Sequence, residues 1–472
     1  MNTIRQNVLD MLYKKYILPT KDDRDLYIGV EIELPIVNLS KMPVDFAVVH
    51  DLTRRFKSAF GFYVSVIDEE KNPCSLLHFG KDDILSYDCS YNNLELSFGK
   101  EKNLFAIRER FLKYYDFIQS VLARNNYTLT GMGVNPFRRY NSIAPIPNGR
   151  YRMLYHHLSS AARYRDRIPM FFHPWPDYGM FSSASQAQFD VFYDDLIPTI
   201  RAFSLLEPLK SVLFSNSVMT GEREDLLCCR DMLWENSTQA INPHNIGMFD
   251  KIPESVDELL EYIASTSIYC AQQGDKYFNF EPVNVVEYFA RRQISAEYYD
   301  NASGLYKQTV FSPKPDDLKY LRSFKFEDLT FRGTIEFRSV CCQPIYDAFC
   351  VSAFHLGLIG RRQVEKINEL LNGDRVIYGR GYSASELRRL MNLRKMAEFV
   401  DPSKLSKLLL QILSIAQDGL KSRGLGEEVF LEPLFKRAQT LENPARAMLS
   451  RIESGEAIEN IIKDYACAVC PK

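Results

Sequence analysis

Four short segments of the chain alternate apolar and polar residues, which is the pattern of β-strands that bury one face. In the first segment, residues 28–34, apolar side chains at every second position enclose Glu31 and Glu33. Because successive side chains of a strand point to opposite faces, these two carboxylates become neighbours on one face. The other segments present polar side chains in the same way: Glu95; Gln186, Gln188 and Asp190; Glu336 and Arg338. The pattern predicts an antiparallel sheet with one acid-bearing face.

Helical periodicity is the second pattern, and it dominates after residue 345. Residues 403–419 place apolar side chains on one stripe behind Ser403 as a helix cap, and residues 103–126 carry a similar stripe. Such stripes are typical of helices that pack on another layer. We therefore expect an α+β fold and a single catalytic domain over residues 1–472. In that domain a sheet region at 27–345 would hold the active site, and a helical region would follow at 346–466.

Composition and charge narrow the class of protein. The 472 residues are 46% hydrophobic and 25% charged, as in ordinary globular proteins. Lysine and arginine number 58 and the acids 60, so the net charge of −2 provides no broad basic surface for nucleic acid or anionic lipid. The first residues do not read as a signal peptide, and no apolar run is long enough to span a membrane. These features favour a cytoplasmic protein without nucleic-acid or membrane partners.

The acid-bearing face indicates chemistry that depends on metal ions. Asp88 precedes the strand around Glu95 by an apparent turn at residues 90–93, so it can lie near the end of that strand. Taken singly, each strand would be read as a solvated sheet face, but several carboxylates on one face repel one another unless protons or cations neutralise them. Oxygen ligands with almost no interleaved His or Cys suit Mg²⁺ or Mn²⁺ rather than zinc. Together with arginines they suggest a nucleoside triphosphate held through its metal ions, although Walker A, GxGxxG and kinase signatures are absent.

Several segments, taken in chain order, resemble the glutamate-cysteine ligase family of the glutamine synthetase superfamily. Gly29–Glu33 is similar to its first metal-binding strand, and Asp88 and Glu95, 95 − 88 = 7 positions apart, have the spacing of its next two acids. Further segments resemble its plant, proteobacterial and actinobacterial branches: Leu129–Pro136, Pro147–Met153, Gln186–Asp190, Leu213–Ser217, Arg230–Trp234, Ile335–Arg338, Gly419–Gly426 and Asn443–Arg446. The likeness runs from about residue 27 to 450, and its order is more specific than any single piece.

The resemblance implies a glutamine synthetase-like antiparallel β-sheet funnel flanked by helices, with a helical C-terminal region. It also implies an ATP- and magnesium-dependent ligase that converts the side-chain carboxylate of glutamate to an acyl phosphate and joins it to an amine, first of all the amino group of cysteine. By this resemblance, Arg338 and Arg332 would bind the phosphates of ATP, Arg230 the α-carboxylate of glutamate, and Arg150 a phosphate or substrate. Two or more Mg²⁺ or Mn²⁺ ions would be held by six residues: Glu31, Glu33, Asp88, Glu95, Gln186 and Glu336.

Other functions stay open at the level of sequence. Residues 274–325, where specificity for the amine could reside, match the family poorly and offer no clear pocket for cysteine. The same chemistry could therefore serve another amino acid or amine. A non-catalytic member of the fold that binds a metabolite is the second alternative, and a phosphotransferase of the same superfamily is the third. The sequence fixes neither the pathway nor the oligomeric state, and the many aromatic residues are expected to pack the core.

Overall fold

The computed structural model describes residues 2–164, 172–321 and 323–470, and its largest element is an antiparallel sheet of nine strands within that part of the chain. The strands of the described residues are β1 Ile28–Asn38, β2 Phe62–Ile67, β3 Pro73–His78, β4 Ile84–Tyr87, β5 Asn93–Glu101, β6 Tyr127–Leu129, β7 Ser185–Asp190, β8 Ile246–Gly247, β9 Ser267–Gln273, β10 Lys276–Asn284, β11 Ile294–Asp300, β12 Leu305–Phe311, β13 Phe324–Lys325, β14 Glu327–Leu329 and β15 Thr334–Phe337. The large sheet runs in the order β14-β15-β7-β1-β5-β4-β3-β2, and β6 pairs with β1.

α-Helices alternate with the strands along the chain and predominate after residue 345. They are α1 Asn2–Leu12, α2 Phe46–Phe60, α3 Leu104–Leu122, α4 Gly149–Leu158, α5 Tyr193–Phe214, α6 Cys229–Glu235, α7 Val256–Ala264, α8 Val285–Ala290, α9 Cys350–Leu358, α10 Arg361–Gly373, α11 Ala384–Met391, α12 Pro402–Arg423, α13 Glu432–Thr440, α14 Pro444–Glu453 and α15 Ile458–Tyr465. The mixture of helix and antiparallel sheet, followed by helices, confirms the predicted fold class.

The alternating segments form strands as predicted. In β1 the side chains of Ile28, Val30, Ile32 and Leu34 are buried in the main core. Helix α3 packs on β5 and α9 packs on β7, both from the apolar side. The apolar half of each alternating segment therefore stabilises the sheet, and the polar half is left for the opposite face.

One predicted helix cap is wrong. Helix α12 begins at Pro402, and the side chain that caps it is Asp401, not Ser403. Asp401 Oδ1 accepts hydrogen bonds from the backbone amides of Ser403 at 2.9 Å and of Lys404 at 3.2 Å. Proline suits the first position of a helix because it has no amide hydrogen to leave unsatisfied, so the helix begins before Ser403.

A second antiparallel sheet, in the order β12-β11-β10-β9, is formed by residues 267–311. It packs against α4, since α4 contacts both β10 and β11. The short strands β8 and β13 pair in parallel. None of the helices in the described part of the chain combines the length and the apolar character that crossing a bilayer requires.

Candidate active site

Neighbouring strands of the large sheet carry the predicted acids on one face. Glu33 of β1 lies directly opposite Glu95 of β5. Glu31, two residues earlier in β1, lies opposite Gln186 of β7. Opposed residues of antiparallel strands point to the same face, and so do residues two apart in one strand. Three carboxylates and one amide therefore share the face that the sequence pattern predicts.

The next strand, β15, adds another carboxylate to this face. Glu336 lies opposite Gln188 of β7, which is two residues from Gln186. On its other side Glu336 lies opposite Asp328 of β14. The acid-bearing face therefore extends from β5 to β14 across five neighbouring strands. Asp328 is a member of it that the sequence analysis did not single out.

Hydrogen bonds fix the orientation of the central carboxylates. Glu33 accepts one bond from the backbone amide of Ala184 at 2.7 Å and one from Gln186 Nε2 at 2.9 Å. Glu95 accepts a bond from Ser97 Oγ at 2.6 Å. Within the described part of the chain, the buried Gln186 Oε1 has no hydrogen-bond partner. A buried acceptor without a donor is costly, so this oxygen is a candidate ligand.

Asp88 reaches the site from the turn between β4 and β5. The turn is closed by hydrogen bonds from Ser90 N to Asp88 O, 2.6 Å, and from Asp88 N to Asn93 O, 3.1 Å. Cys89 within it has a φ of 58°, which is a left-handed backbone conformation that residues other than glycine rarely adopt. Its Sγ donates a hydrogen bond to Asp88 Oδ1 at 3.5 Å. The sequence predicted the turn correctly.

Burial and mutual repulsion perturb the acids strongly. Burial, reinforced by the charge of Asp88, raises the pKa of Glu33 to about 8 and that of Glu95 to about 7. Burial, and then the charge of Glu336, raises the pKa of Glu31 well above its usual range. Burial also raises the pKa of Asp88. Carboxyl groups in this state retain protons near neutral pH unless a cation replaces them.

Two arginines are held beside the acids. Arg338 follows β15 directly, and its Nη1 donates to Glu336 Oε1 at 2.7 Å. Arg230 lies in the first turn of α6, where Ser217 Oγ accepts a hydrogen bond from its backbone amide at 3.1 Å. Arg230 Nη1 then donates to the backbone carbonyl of Arg338 at 2.8 Å. The segments that carry the two guanidinium groups are thus joined by a hydrogen bond.

The other two predicted arginines have different positions. Arg150 lies in the first turn of α4, which is capped by Asn148, and its side chain faces the site. Arg332 lies in the turn between β14 and β15, is exposed, and donates from Nη2 to Gln188 Oε1 at 3.0 Å. It does not line the cavity described next. The structure therefore brings Arg150, Arg230 and Arg338 together and leaves Arg332 outside.

A cavity of about 320 Å³ opens over this face. Its polar wall includes Glu33, Asp88, Gln186 and the three arginines just named, whereas Glu31, Glu95 and Glu336 lie beside it on the same face. The rest of the lining is rich in aromatic rings, which we call the aromatic wall, and part of it comes from the second sheet. These rings belong to Tyr151, Tyr178, Trp234, Tyr269, Tyr277, Tyr320 and Phe324.

Six of these seven residues pack in apolar clusters, as the sequence predicts for aromatic residues, and they border the cavity as well. Tyr269 and Tyr320 are buried in the main core, and Tyr151 and Tyr277 pack against it. Tyr178 is buried in a small apolar cluster, against which Trp234 packs. The sequence did not indicate that these rings meet at one cavity. Spacing along the chain could not reveal the wall, because its residues come from segments as distant as α4 and residue 324. Asp328 lacked the alternating signal, because Glu327 precedes it and only Leu329 on its other side is apolar, and its strand is short.

The donor set fits a hard divalent cation. All six predicted ligands offer oxygen atoms, and Gln186 Oε1 lacks a partner among the described residues. The pKa values of Glu31, Glu33, Asp88 and Glu95 are raised. Mg²⁺ and Mn²⁺ prefer such ligands. As the side chains stand, no three acids, histidines or cysteines within residues 2–164, 172–321 and 323–470 converge closely enough to hold one ion. The fit therefore rests on the chemistry of the donors.

Sequence comparison finds two plant relatives. Over 356 residues, the chain is 21% identical to the chloroplastic glutamate–cysteine ligase of Brassica juncea and 20% identical to that of Arabidopsis thaliana. These matches support a glutamate-cysteine ligase-like family. The matched regions cover 74% of this chain and 63% and 62% of the relatives, so the chain spans less than two thirds of their length. No family model matches the chain.

Two solved structures resemble this chain. One is a glutamate–cysteine ligase from Francisella tularensis in complex with AMP, with a TM-score of 0.49, 11% sequence identity, and coverage of 94% of this chain and 89% of that one. The other is a bifunctional glutathione synthetase from Pasteurella multocida, with a TM-score of 0.42, 14% identity, and coverage of 99% and 53%.

Proposed function

We propose that this chain is an ATP-dependent ligase that joins the side-chain carboxylate of glutamate to an amine, with the amino group of cysteine as the first acceptor to test. The observation that carries the proposal is the meeting of Glu33, Asp88, Arg230 and Arg338 at one cavity over an acid-bearing face. Transfer of a phosphoryl group to a carboxylate needs cations, because both reactants are negatively charged. The likeness to two plant glutamate–cysteine ligases supports the same reaction.

The reaction has two steps. An oxygen of the glutamate side-chain carboxylate attacks the γ-phosphorus of ATP, the bond to ADP breaks, and a γ-glutamyl phosphate forms. The amine then attacks the acyl carbon, and phosphate leaves with one oxygen of the original carboxylate. The proton lost by the amine passes to solvent or to phosphate. The products are the amide, ADP and phosphate.

The acids and one amide would hold two or more Mg²⁺ or Mn²⁺ ions. These residues are Glu31, Glu33, Asp88, Glu95, Gln186 and Glu336. When bound, the ions would supply positive charge to the phosphate oxygens of ATP. The raised pKa values of Glu33 and Glu95 support this assignment, since each carboxyl would exchange a proton for a cation.

The arginines would divide between ATP and glutamate. Arg338 and Arg332 would bind the phosphates, with Arg338 held in place by its bond to Glu336. Arg230 would bind the α-carboxylate of glutamate through nitrogens other than Nη1, which is engaged by a backbone carbonyl. Arg150, which lines the same cavity, would bind a second carboxylate or a phosphate.

The aromatic wall would receive the amine. Its rings exclude water from the acyl phosphate, which would otherwise be hydrolysed. No side chain in the cavity lining is a clear general base for the amine, so we assign the second step to desolvation and orientation of the nucleophile. The wall leaves the choice of acceptor open among cysteine, another amino acid and another amine.

Two further functions remain to be distinguished from this one. A non-catalytic member of the fold would bind ATP or glutamate without releasing phosphate. A phosphotransferase would release a stable phosphorylated product. The five acids favour turnover, since a protein that only binds its ligand has no need for so many cation ligands on one face.

The experiment is phosphate release from ATP, Mg²⁺ and glutamate labelled with oxygen-18 in the side-chain carboxylate. Cysteine, other amino acids and simple amines are added one at a time. We expect one acceptor to accelerate release and to place the label in the phosphate. The Glu33→Gln variant serves as the background control.

Each alternative gives a different result. No ATP consumption with any acceptor would indicate a binding protein. Label retained in a phosphorylated product would indicate a phosphotransferase. Formation of AMP, with label in the AMP, would indicate adenylation and would overturn the proposed mechanism.

A further inference from the structure

Arg388 is a buried arginine of the C-terminal helical region that reaches the segments behind the cavity. It lies in α11, and its guanidinium forms a two-bond contact with Asp231, from Nε at 2.6 Å and from Nη2 at 3.1 Å. Its Nη1 donates to the backbone carbonyl of Glu207 at 2.7 Å and also to the Glu207 carboxylate. All the nitrogens of the side chain are therefore engaged, and both acids it contacts are buried.

The first contact leads to Arg230. Asp231 is the next residue after Arg230 in the short helix α6. Asn392, just after α11, also donates to Asp231, from Nδ2 at 2.7 Å. The backbone carbonyl of Asn392 accepts a hydrogen bond from Leu227 N at 2.8 Å, in the segment that leads into α6. The region around α11 thus holds the start of α6 by its side chains and its backbone.

The second set of contacts leads to Arg338. Glu207 accepts a hydrogen bond from Ser339 Oγ at 3.0 Å, and Ser339 is the residue after Arg338. The guanidinium of Arg388 also lies over the ring of Phe326, 4.7 Å from its centre. The backbone carbonyl of Phe326 accepts a hydrogen bond from the amide of Arg338 at 3.0 Å. A single residue therefore connects Arg388 with each cavity arginine: Asp231 connects it with Arg230, and Phe326 connects it with Arg338.

Buried charges of both signs surround Arg388. Lys210 is a second buried cation, and Glu207, Asp231 and Glu327 are buried acids. Burial, together with the charge of Glu207, raises the pKa of Glu327 well above its usual range, which favours the neutral form of this carboxyl. The acids of this cluster are thus compensated by buried cations of the same cluster.

We propose that Arg388 is a positioning residue that sets the separation and direction of Arg230 and Arg338. This inference rests on the proposed function, because it takes these two arginines to bind glutamate and the phosphates of ATP. Arg388 touches neither substrate. The planar guanidinium of Arg388 bonds Asp231 and Glu207 and stacks on the ring of Phe326. It therefore fixes the three segments that carry these residues, which the ammonium group of a lysine cannot do.

The experiment compares Arg388→Lys with Arg437→Lys. Arg437 is a matched control, because it too lies in the C-terminal helices, is 6% exposed against 4% for Arg388, and bonds an acid, Asp347, at 2.8 Å. Its other contacts are with Leu213 and Gln343. They reach Arg230 only through Gln343, Cys341 and Ser217, which are three intermediate residues where Arg388 has one. For both variants we would measure the unfolding temperature, kcat, and the KM for glutamate and for ATP.

We expect both variants to lose thermal stability. Only Arg388→Lys should raise the KM for glutamate and lower kcat, so that its kcat/KM decreases by about tenfold or more. A variant that is destabilised like the control but keeps its kinetic constants would show a structural role only. Should Arg388→Lys fail to fold, Phe326→Leu removes the stacked ring without a change of charge and is expected to raise the same KM. Unchanged constants in that variant would overturn the proposal.

Failure of the proposed function has a separate signature. In that case the wild-type chain would release no phosphate with glutamate and any amine. The positioning role would then be judged by binding of Mg·ATP, measured by calorimetry. Arg388→Lys must weaken this binding and Arg437→Lys must not, and equal binding by both variants would refute the role of Arg388.

Discussion

Glu33 of β1 and Glu95 of β5 are directly opposed across two adjacent strands, and burial raises the pKa of both, to about 8 and about 7. Two carboxyl groups in such a pair cannot both ionise cheaply in the absence of a cation. These carboxyl groups therefore tend to keep their protons until a cation binds. The strand register that forms the sheet also places the two carboxyl groups side by side, so the fold itself creates a site that favours cations.

The first prediction concerns Glu33→Gln. The amide keeps the shape of the side chain and relieves repulsion, but it removes one negative ligand. We expect turnover to be lost while the protein folds at least as stably as the wild type, as measured by phosphate release and thermal unfolding. Glu101→Gln is the control, since Glu101 is in β5 outside the cavity and pairs with Arg110. Full activity of Glu33→Gln at saturating Mg²⁺ would contradict the metal assignment.

The second prediction concerns pH and stability without divalent cations. The usual pKa of Glu33 is 4.5, and burial raises it to about 8 in the folded state. Between these values the folded protein binds more protons than the unfolded chain, so the free energy of unfolding decreases as pH rises. We expect the unfolding temperature of the wild type in chelator to fall more steeply from pH 5.5 to 8 than that of Glu33→Gln.

Mg²⁺ provides the complementary measurement. Because a bound cation replaces the protons, we expect it to raise the unfolding temperature of the wild type more at pH 8 than at pH 5.5. The Glu33→Gln variant should respond less. Equal slopes for the two proteins in chelator, or an effect of Mg²⁺ that does not change with pH, would refute the coupling.

The third prediction separates the two arginines assigned to ATP. Arg338→Lys keeps the charge but loses the planar fork that bonds Glu336, and we expect kcat to fall by on the order of tenfold or more. Arg332 is exposed, and its guanidinium donates to Gln188 rather than to one of the acids. Arg332→Lys should therefore affect the KM for ATP and leave kcat nearly unchanged. Steady-state kinetics at varied ATP tests both. A normal kcat in Arg338→Lys would make this residue a structural partner of Glu336.

Much of the fold could be predicted because local patterns dictate it. The alternation around Glu31 and Glu33 fixes which side of β1 is buried, and the stripe in residues 403–419 fixes a helix. The predicted cap of that helix was wrong by two residues. Asp401 and Ser403 are both suitable cap residues, and only the proline between them indicates that the helix begins after Asp401.

The candidate site could be predicted only in part. Acids on alternating strands are visible in the sequence, because each strand shows its own pattern. The contact of Arg388 with Asp231 joins residues 157 positions apart, and no local pattern indicates it. The aromatic wall is hidden for the same reason. An arginine in a helical segment reads as a surface residue unless the packing of that helix is known.

The last prediction tests the acyl phosphate directly. A sulfoximine analogue of the tetrahedral adduct between amine and γ-glutamyl group carries a nitrogen that ATP can phosphorylate. If the wild-type chain activates glutamate in this way, the analogue should become a slowly formed, tight inhibitor in the presence of Mg·ATP, because transition-state analogues gain ~10²–10⁸-fold over substrates. Inhibition should stay weak with a non-hydrolysable ATP analogue, and ADP should form once per active site. The Glu33→Gln variant should bind the analogue without phosphorylating it. Rapid, reversible inhibition that is independent of ATP would mean that the analogue only occupies the glutamate site, and the acyl phosphate would lose its support.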